Sequence, residues 1–201
     1  MTPGRSGRRK TFKHTSRKSS KKLPLAIGLL IIIGVVAVAV YMFSTNSPSS
    51  SGEPAGEVLL QTSMGNITIQ LRDDRPITTS NFKNLVEQGV YDGTIFHRVI
   101  ANFVIQGGMN TSASVATIPD EVGSNNHNDR GSVAMAKTSQ PNSATSQFYI
   151  NVVDNNDLDS GYTVFGTVIS GMDVADAISN VTVDGEKPVT DVILIKAEII
   201  S

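Results

Sequence analysis

Residues 91–108 read YDGTIFHRVIANFVIQGG and contain two strand-like runs, Thr94–Ile100 and Phe103–Gln106. On the N-terminal side of this stretch, Pro76 to Gly89 fits a helix. Pro stands near its start, Phe82, Leu85 and Val86 recur at i, i+3 and i+4, and Gly89 supplies the C-cap. Further upstream, Val58 and Leu60, then Ile67, Ile69 and Leu71, alternate around the turn-like Met64-Gly65-Asn66, which predicts a hairpin with one buried face. Downstream, strands are expected at Gly131–Ala136, Gln147–Val152, Thr163–Ile169 and Val189–Ile199, and a short helix at Met172–Ser179 behind Gly171. Many short strands with Gly-rich turns point to a mostly β body, either a sandwich or a closed barrel. About 145 residues suffice for one core, and spacing alone does not choose between the two.

The 201-residue chain has a formal charge of −1, unevenly distributed. Nine of the 17 Lys and Arg fall in residues 1–22, which hold no acid, while the rest of the chain carries all 18 Asp and Glu. Residues 23–43, LPLAIGLLIIIGVVAVAVYMF, are uncharged and mostly apolar. As a helix they would measure roughly 31 Å, close to the hydrocarbon thickness of a bilayer. A secretory signal peptide is the competing reading, but its apolar core is usually shorter, and the one A-x-A here, Ala37-Val38-Ala39, lies inside the run. The expected organisation is a basic cytoplasmic arm (1–22), a transmembrane signal anchor (23–43), a flexible Ser/Pro/Gly linker (44–56) and a folded domain (57–201) outside the cytoplasm. Zero Cys excludes a disulfide scaffold, a thiolate metal site and a cysteine nucleophile. Three His without an HExxH motif argue against a dedicated metal site. Scarce aromatics and no Trp argue against a nucleic-acid stacking platform.

The stretch at 91–108 strongly resembles the signature of the cyclophilin-type peptidyl-prolyl isomerases. The flanking blocks NFKNLVEQGVYDG, GSVAMAKTSQPNSATSQFYINV and YTVFGTVISGMDVADAI agree in order, so the resemblance covers roughly residues 57–200. PNSATSQFYINVVDN and the short segment before Gly131 look closer to the bacterial members. The resemblance implies a closed eight-stranded antiparallel barrel capped by two helices, here preceded by one transmembrane helix.

Prolyl isomerisation makes and breaks no bond, so it requires no nucleophile, metal or cofactor. Amide resonance sets a barrier of about 18–20 kcal/mol, and an uncatalysed X–Pro bond turns over in tens to hundreds of seconds. An apolar pocket for the ring and a fixed donor to the twisted amide nitrogen would favour the transition state over the planar ground state. Arg98 is the candidate donor, because a guanidinium stays charged and presents rigid N–H groups. The resemblance assigns the catalytic role to the same residue, the Arg of the FHR triplet. It also implies that Phe103 and Val104 wall the proline pocket and that Gln106 orients Arg98 and substrate. Ala136 and Lys137 would pair with the substrate backbone through main-chain N–H and C=O groups. Gln147, Tyr149, Leu158 and Tyr162 would complete the site. Lys137 replaces a frequent Asn, Tyr149 a usual Phe, and Asp157 stands where cyclosporin-binding members carry Trp. His97, one residue from Arg98, is expected to be structural. The functional expectation is a monomeric, membrane-tethered isomerase acting on proline-containing segments of exported proteins. The alternative is a non-catalytic module that binds such segments as a chaperone or scaffold.

Overall fold

The computed structural model describes residues 55–201. The expected basic arm, membrane span and most of the linker therefore lie outside the described residues. Among those described, no helix is long and apolar enough to cross a membrane. Ala55 and Gly56, the end of the expected linker, already pack on the domain: Gly56 C=O accepts from Leu71 N–H (2.9 Å), and Ala55 C=O from Lys83 Nζ (3.1 Å).

The first hairpin forms as the alternation predicts. Strands β1 (Glu57–Thr62) and β2 (Gly65–Leu71) pair antiparallel, with Val58, Leu60, Ile67, Ile69 and Leu71 buried on one face. Its turn is Ser63-Met64, one step earlier than Met64-Gly65-Asn66, because Thr62 Oγ1 donates to Gly65 C=O (2.6 Å) and accepts from Met64 N–H (3.1 Å).

Helix α1 (Pro76–Glu87) follows. Gly89 is at φ 66°, its N–H bonds Val86 C=O, and Val90 N–H bonds Leu85 C=O, both at 3.0 Å. That is a Schellman closure, in which a left-handed residue just past the helix satisfies its last carbonyls. The helix start lacks a side-chain cap of its own; Glu121, far along the chain, accepts from Ile77 N–H (3.2 Å) and Thr78 N–H (2.7 Å).

The run Thr94–Ile100 is not one strand. It divides into β3 (Thr94–Ile95) and β4 (Arg98–Ile100), separated by Phe96 and His97. Next come β5 (Val104–Gly107), β6 (Ser132–Met135), β7 (Phe148–Asn151), a 3-10 turn (Asn156–Leu158) and β8 (Val164–Ser170). Helix α2 (Met172–Ser179) leads to the small hairpin of β9 (Val183–Asp184) and β10 (Lys187–Pro188), and β11 (Ile193–Ile199) ends the domain. Gly171, at φ 84°, opens α2, and any side chain there would run into Asn66 C=O.

One nine-stranded antiparallel sheet results, in the order β3-β11-β1-β2-β8-β6-β7-β5-β4, with β9 and β10 as a separate pair. Together with the two helices, the ladders make a curled, half-barrel sheet. Its two edge strands, β3 and β4, are consecutive segments of one run, and counting them as one gives the eight strands expected; at the break between them the ladder lapses. Phe96 N–H instead bonds Val192 C=O (3.0 Å), and Val99 N–H bonds Glu186 C=O (2.7 Å).

The two faces of this sheet do different things. Along β4, β5, β7 and β6, Val99, Ile105, Ile150 and Val133 lie in cross-strand register and are all buried in the main core. Phe82 of α1 sits at the centre of that core, with ring centroids 5.1 Å from Tyr91, 5.5 Å from Phe148 and 4.8 Å from Phe165. The adjacent row, Arg98–Gln106–Tyr149–Ala134, is also in register. Successive side chains on a strand point to opposite faces, so this second row faces away from the main core.

Candidate active site

Around the outward row a second, smaller apolar cluster forms. Val104, Ala134, Tyr149 and Val164 are buried in it, and Phe103, Ala136, Leu158 and Tyr162 pack against it. Above the cluster opens a pocket of about 210 Å³ lined by Arg98, Phe103, Val104, Gln106, Ala136, Lys137, Tyr149, Leu158 and Tyr162. All nine are residues singled out in the sequence. The tenth, Gln147, is not in the lining; it stands behind it, its Oε1 accepting from Gln106 Nε2 at 2.9 Å.

Polar groups occupy one end of the pocket and apolar groups the other. At the polar end Arg98 Nη1 donates to Gln106 Oε1 (3.3 Å), while its Nε and Nη2 donate to Glu186 Oε2 (2.6 Å) and Oε1 (3.4 Å). Those three bonds use three of the five guanidinium N–H groups; one on Nη1 and one on Nη2 have no partner among the described residues. At the apolar end stand Phe103, Leu158 and the Tyr149 ring, which meets Tyr162 edge-on at a centroid distance of 6.0 Å.

Main-chain groups line the third side. Ala136 and Lys137 lie just beyond β6. Ala136 N–H is donated to Gln147 C=O (2.9 Å), so the free main-chain groups of this segment lie on its C=O and on Lys137. Ala136 C=O and both Lys137 main-chain groups have no protein partner among the described residues. The Lys137 ammonium points elsewhere: it lies 3.3 Å from Asp120 Oδ2 and 5.5 Å from the centre of the Tyr162 ring. Both members of the Lys137–Asp120 pair are largely buried, which fixes this wall.

A set of polar residues that sequence reasoning missed supports the pocket from below. Asn128 Oδ1 accepts from the Tyr149 hydroxyl (2.8 Å) and Asn151 Nδ2 (3.2 Å). Asn155 Nδ2 reaches Asn151 Oδ1 (2.7 Å) and Phe103 C=O (3.0 Å). Asn126 Nδ2 holds the loop bearing Leu158 and Tyr162 by its Asp159 and Tyr162 carbonyls, at 2.7 and 2.9 Å. Burial pushes the Tyr149 phenol well above its ordinary pKa, helped by Tyr162 and Asp159 nearby, so it remains a neutral donor. Desolvation opposes ionisation of Asp159, but bonds from Asn128 N–H (2.6 Å) and Asn128 Nδ2 (3.2 Å), with His127 beside it, outweigh that and hold its carboxyl below the usual range. No periodicity or motif marks these asparagines. The one available signal is their density in and around NNHND, residues 125–129.

His97 lies between β3 and β4, half-buried, with burial holding its imidazole below the ordinary pKa; Arg98 beside it acts in the same direction. It takes no part in the pocket lining.

A pocket with one charged donor end, an apolar end and unpaired main-chain groups suits an extended peptide carrying a small apolar ring. Comparison with known proteins identifies the class. Residues 57–199 match the family described as cyclophilin type peptidyl-prolyl cis-trans isomerase/CLD. A peptidyl-prolyl cis-trans isomerase of Acinetobacter baylyi is 52% identical over 135 residues, covering 62% of this chain and 72% of that protein. Peptidyl-prolyl cis-trans isomerase A of Dickeya dadantii is 43% identical over 166 residues, covering 77% and 87%. The crystal structure of a cyclophilin-type isomerase from Cryptosporidium parvum superposes with a TM-score of 0.69 at 30% identity, over 73% of this chain and 98% of that one. The same protein in the presence of the dipeptide Ala-Pro gives 0.68 at 31%, over 72% and 99%. The chain belongs to the cyclophilin-type peptidyl-prolyl cis-trans isomerases, and its enzymatic class follows from that membership.

Proposed function

We propose that Arg98 catalyses isomerisation of X–Pro bonds by donating to the prolyl amide as it twists, with the proline ring held between Phe103, Val104, Tyr149 and Leu158. The observation that carries this reading is the coincidence, in one pocket, of an apolar recess with two Arg98 N–H groups that have no partner among the described residues. A planar amide nitrogen has its lone pair in resonance and is a poor acceptor. Twisting restores the lone pair, so a donor fixed there stabilises the transition state more than either ground state. Each 1.36 kcal/mol of that difference is about tenfold in rate. Gln106, itself held by Gln147, steadies the guanidinium. Lys137 N–H and C=O, with Ala136 C=O, offer an edge to the substrate main chain. No bond is broken, so no proton has to be relayed, in keeping with His97 outside the lining and Tyr149 held neutral.

We further propose that residues 23–43 anchor the enzyme in the membrane, with residues 1–22 cytoplasmic and the domain outside, where it acts on newly exported chains. This rests on the uncharged run and the charge asymmetry about it. Action as a monomer is part of this proposal. The test uses the full chain and a protein whose refolding is limited by an X–Pro bond. The expected result is removal of the slow phase at enzyme concentrations far below those of the client. Loss of that phase only at stoichiometric amounts would instead support the non-catalytic binding module. Protease added outside intact cells should reach the domain, and protection there would overturn the proposed location.

A further inference from the structure

We infer that Glu186 is a positioning residue for Arg98, an inference that rests on Arg98 being the donor. Glu186 belongs to neither the main sheet nor the pocket lining. It sits at the second position of the two-residue turn Gly185-Glu186 that joins β9 to β10, with Gly185 at φ 64°. A glycine at positive φ in the first position of a two-residue hairpin turn lets the turn follow the strand twist. The turn is tied to β4 twice. Glu186 C=O accepts from Val99 N–H (2.7 Å), and its carboxylate accepts from Arg98 Nε (2.6 Å) and Nη2 (3.4 Å). Adjacent residues of one edge strand are thus held by the backbone and the side chain of a single residue.

The division of the guanidinium follows. Glu186 takes its Nε side, Gln106 takes one Nη1 hydrogen, and the remaining hydrogens on Nη1 and Nη2 are left to the pocket. A long, half-exposed Arg side chain otherwise samples many rotamers, and placement within fractions of an ångström decides how much a transition-state donor contributes. The bland alternative is a surface ion pair. The Arg98 and Glu186 side chains are 35% and 55% exposed, and pairs that exposed add little to stability. Side-on, two-point geometry on a backbone-fixed carboxylate constrains direction, which matters to catalysis even where it adds little to folding.

The test compares the full-length wild type, Glu186→Gln, Arg98→Ala and the double variant, following cis–trans exchange of an X–Pro peptide together with thermal midpoints. Glu186→Gln is expected to lower kcat about fivefold with KM within about twofold and an unchanged midpoint, and to have no further effect once Arg98 is Ala. If Arg98→Ala is slow but Glu186→Gln matches or exceeds the wild type, the inference fails while the donor assignment stands. An effect of Glu186→Gln that persists without Arg98 also overturns it. Unimpaired exchange in Arg98→Ala overturns donor and positioning role together. Should Glu186→Gln unfold, the Arg98 Nε–H nitrogen resonance of the wild type serves instead. Slowed solvent exchange of that proton supports the contact, and free exchange contradicts it.

Discussion

Tyr149 shows at the scale of one residue how a packing position and a site position coincide. Its ring forms part of the pocket wall, while its hydroxyl is buried against Asn128 Oδ1. Tyr149→Phe removes that donor but leaves Asn128 Oδ1 still accepting from Asn151. The expected cost is therefore about 1 kcal/mol in chemical denaturation, with isomerisation within about threefold of wild type. Asn128→Ala strands the phenol and one Asn151 amide hydrogen and removes the side-chain bond to Asp159, whose bond from the Asn128 backbone N–H remains, and should cost about 2–3 kcal/mol. The nine lining residues were legible because the blocks around FHR, AMAK, SQFY and YTVF, with the loop between the last two, fix their positions in sequence. The residues that hold them were not. Asp120, Asn126, Asn128, Asn155 and Glu186 act through bonds between segments tens of residues apart, and short polar side chains in loops carry no period. Ala136 lies in the lining while its N–H is donated to Gln147 C=O, a bond between two loop-flanking segments that no local pattern announces.

Among elements, α2 was marked by the Gly171 before it, and α1 was plain in the sequence, since a proline start, an i, i+3, i+4 apolar face and a glycine stop are all local signals. What caps α1 was not, because Glu121 arrives from 43 residues beyond Thr78. Its carboxylate satisfies two otherwise unpaired helix N–H groups and pins the segment before Asn126 to the domain. Glu121→Ala is expected to destabilise the domain by about 1 kcal/mol, read from denaturant midpoints, with Glu121→Gln intermediate. The β elements were legible wherever one face is buried over four or more residues. Thr94–Ile100 looked continuous because its apolar residues run through the break at Phe96-His97. The β9–β10 hairpin escaped notice because two-residue strands are too short for alternation to register. Val189, taken as the start of the last strand, is 64% exposed and lies in the connection before β11.

Over the whole molecule, a curled sheet buries one face around Phe82 and builds the pocket on the other, so the same strands supply stability and site. Acid should weaken this arrangement in a defined direction. The Arg72 hydrogen bonds, with further help from Asn125 and Arg75, hold the Asp74 carboxyl well below its ordinary value. Arg130 similarly lowers Asp176, and the Asn128 bonds lower Asp159. Each folded pKa lies below its unfolded one, so the stabilisation is complete above the unfolded value of about 4 and is lost as pH falls through the folded values. The thermal midpoint should therefore drop between about pH 5 and pH 2, and Asp74→Asn should flatten that slope. The central claim, that catalysis resides in one guanidinium at the mouth of an apolar pocket, is tested most directly by cis–trans exchange of an X–Pro peptide with folded Arg98→Ala beside the wild type. The account predicts catalysed exchange in the wild type and at least a tenfold loss of kcat/KM in the variant, about 1.4 kcal/mol or more of transition-state stabilisation. Equal exchange by the two proteins would contradict it.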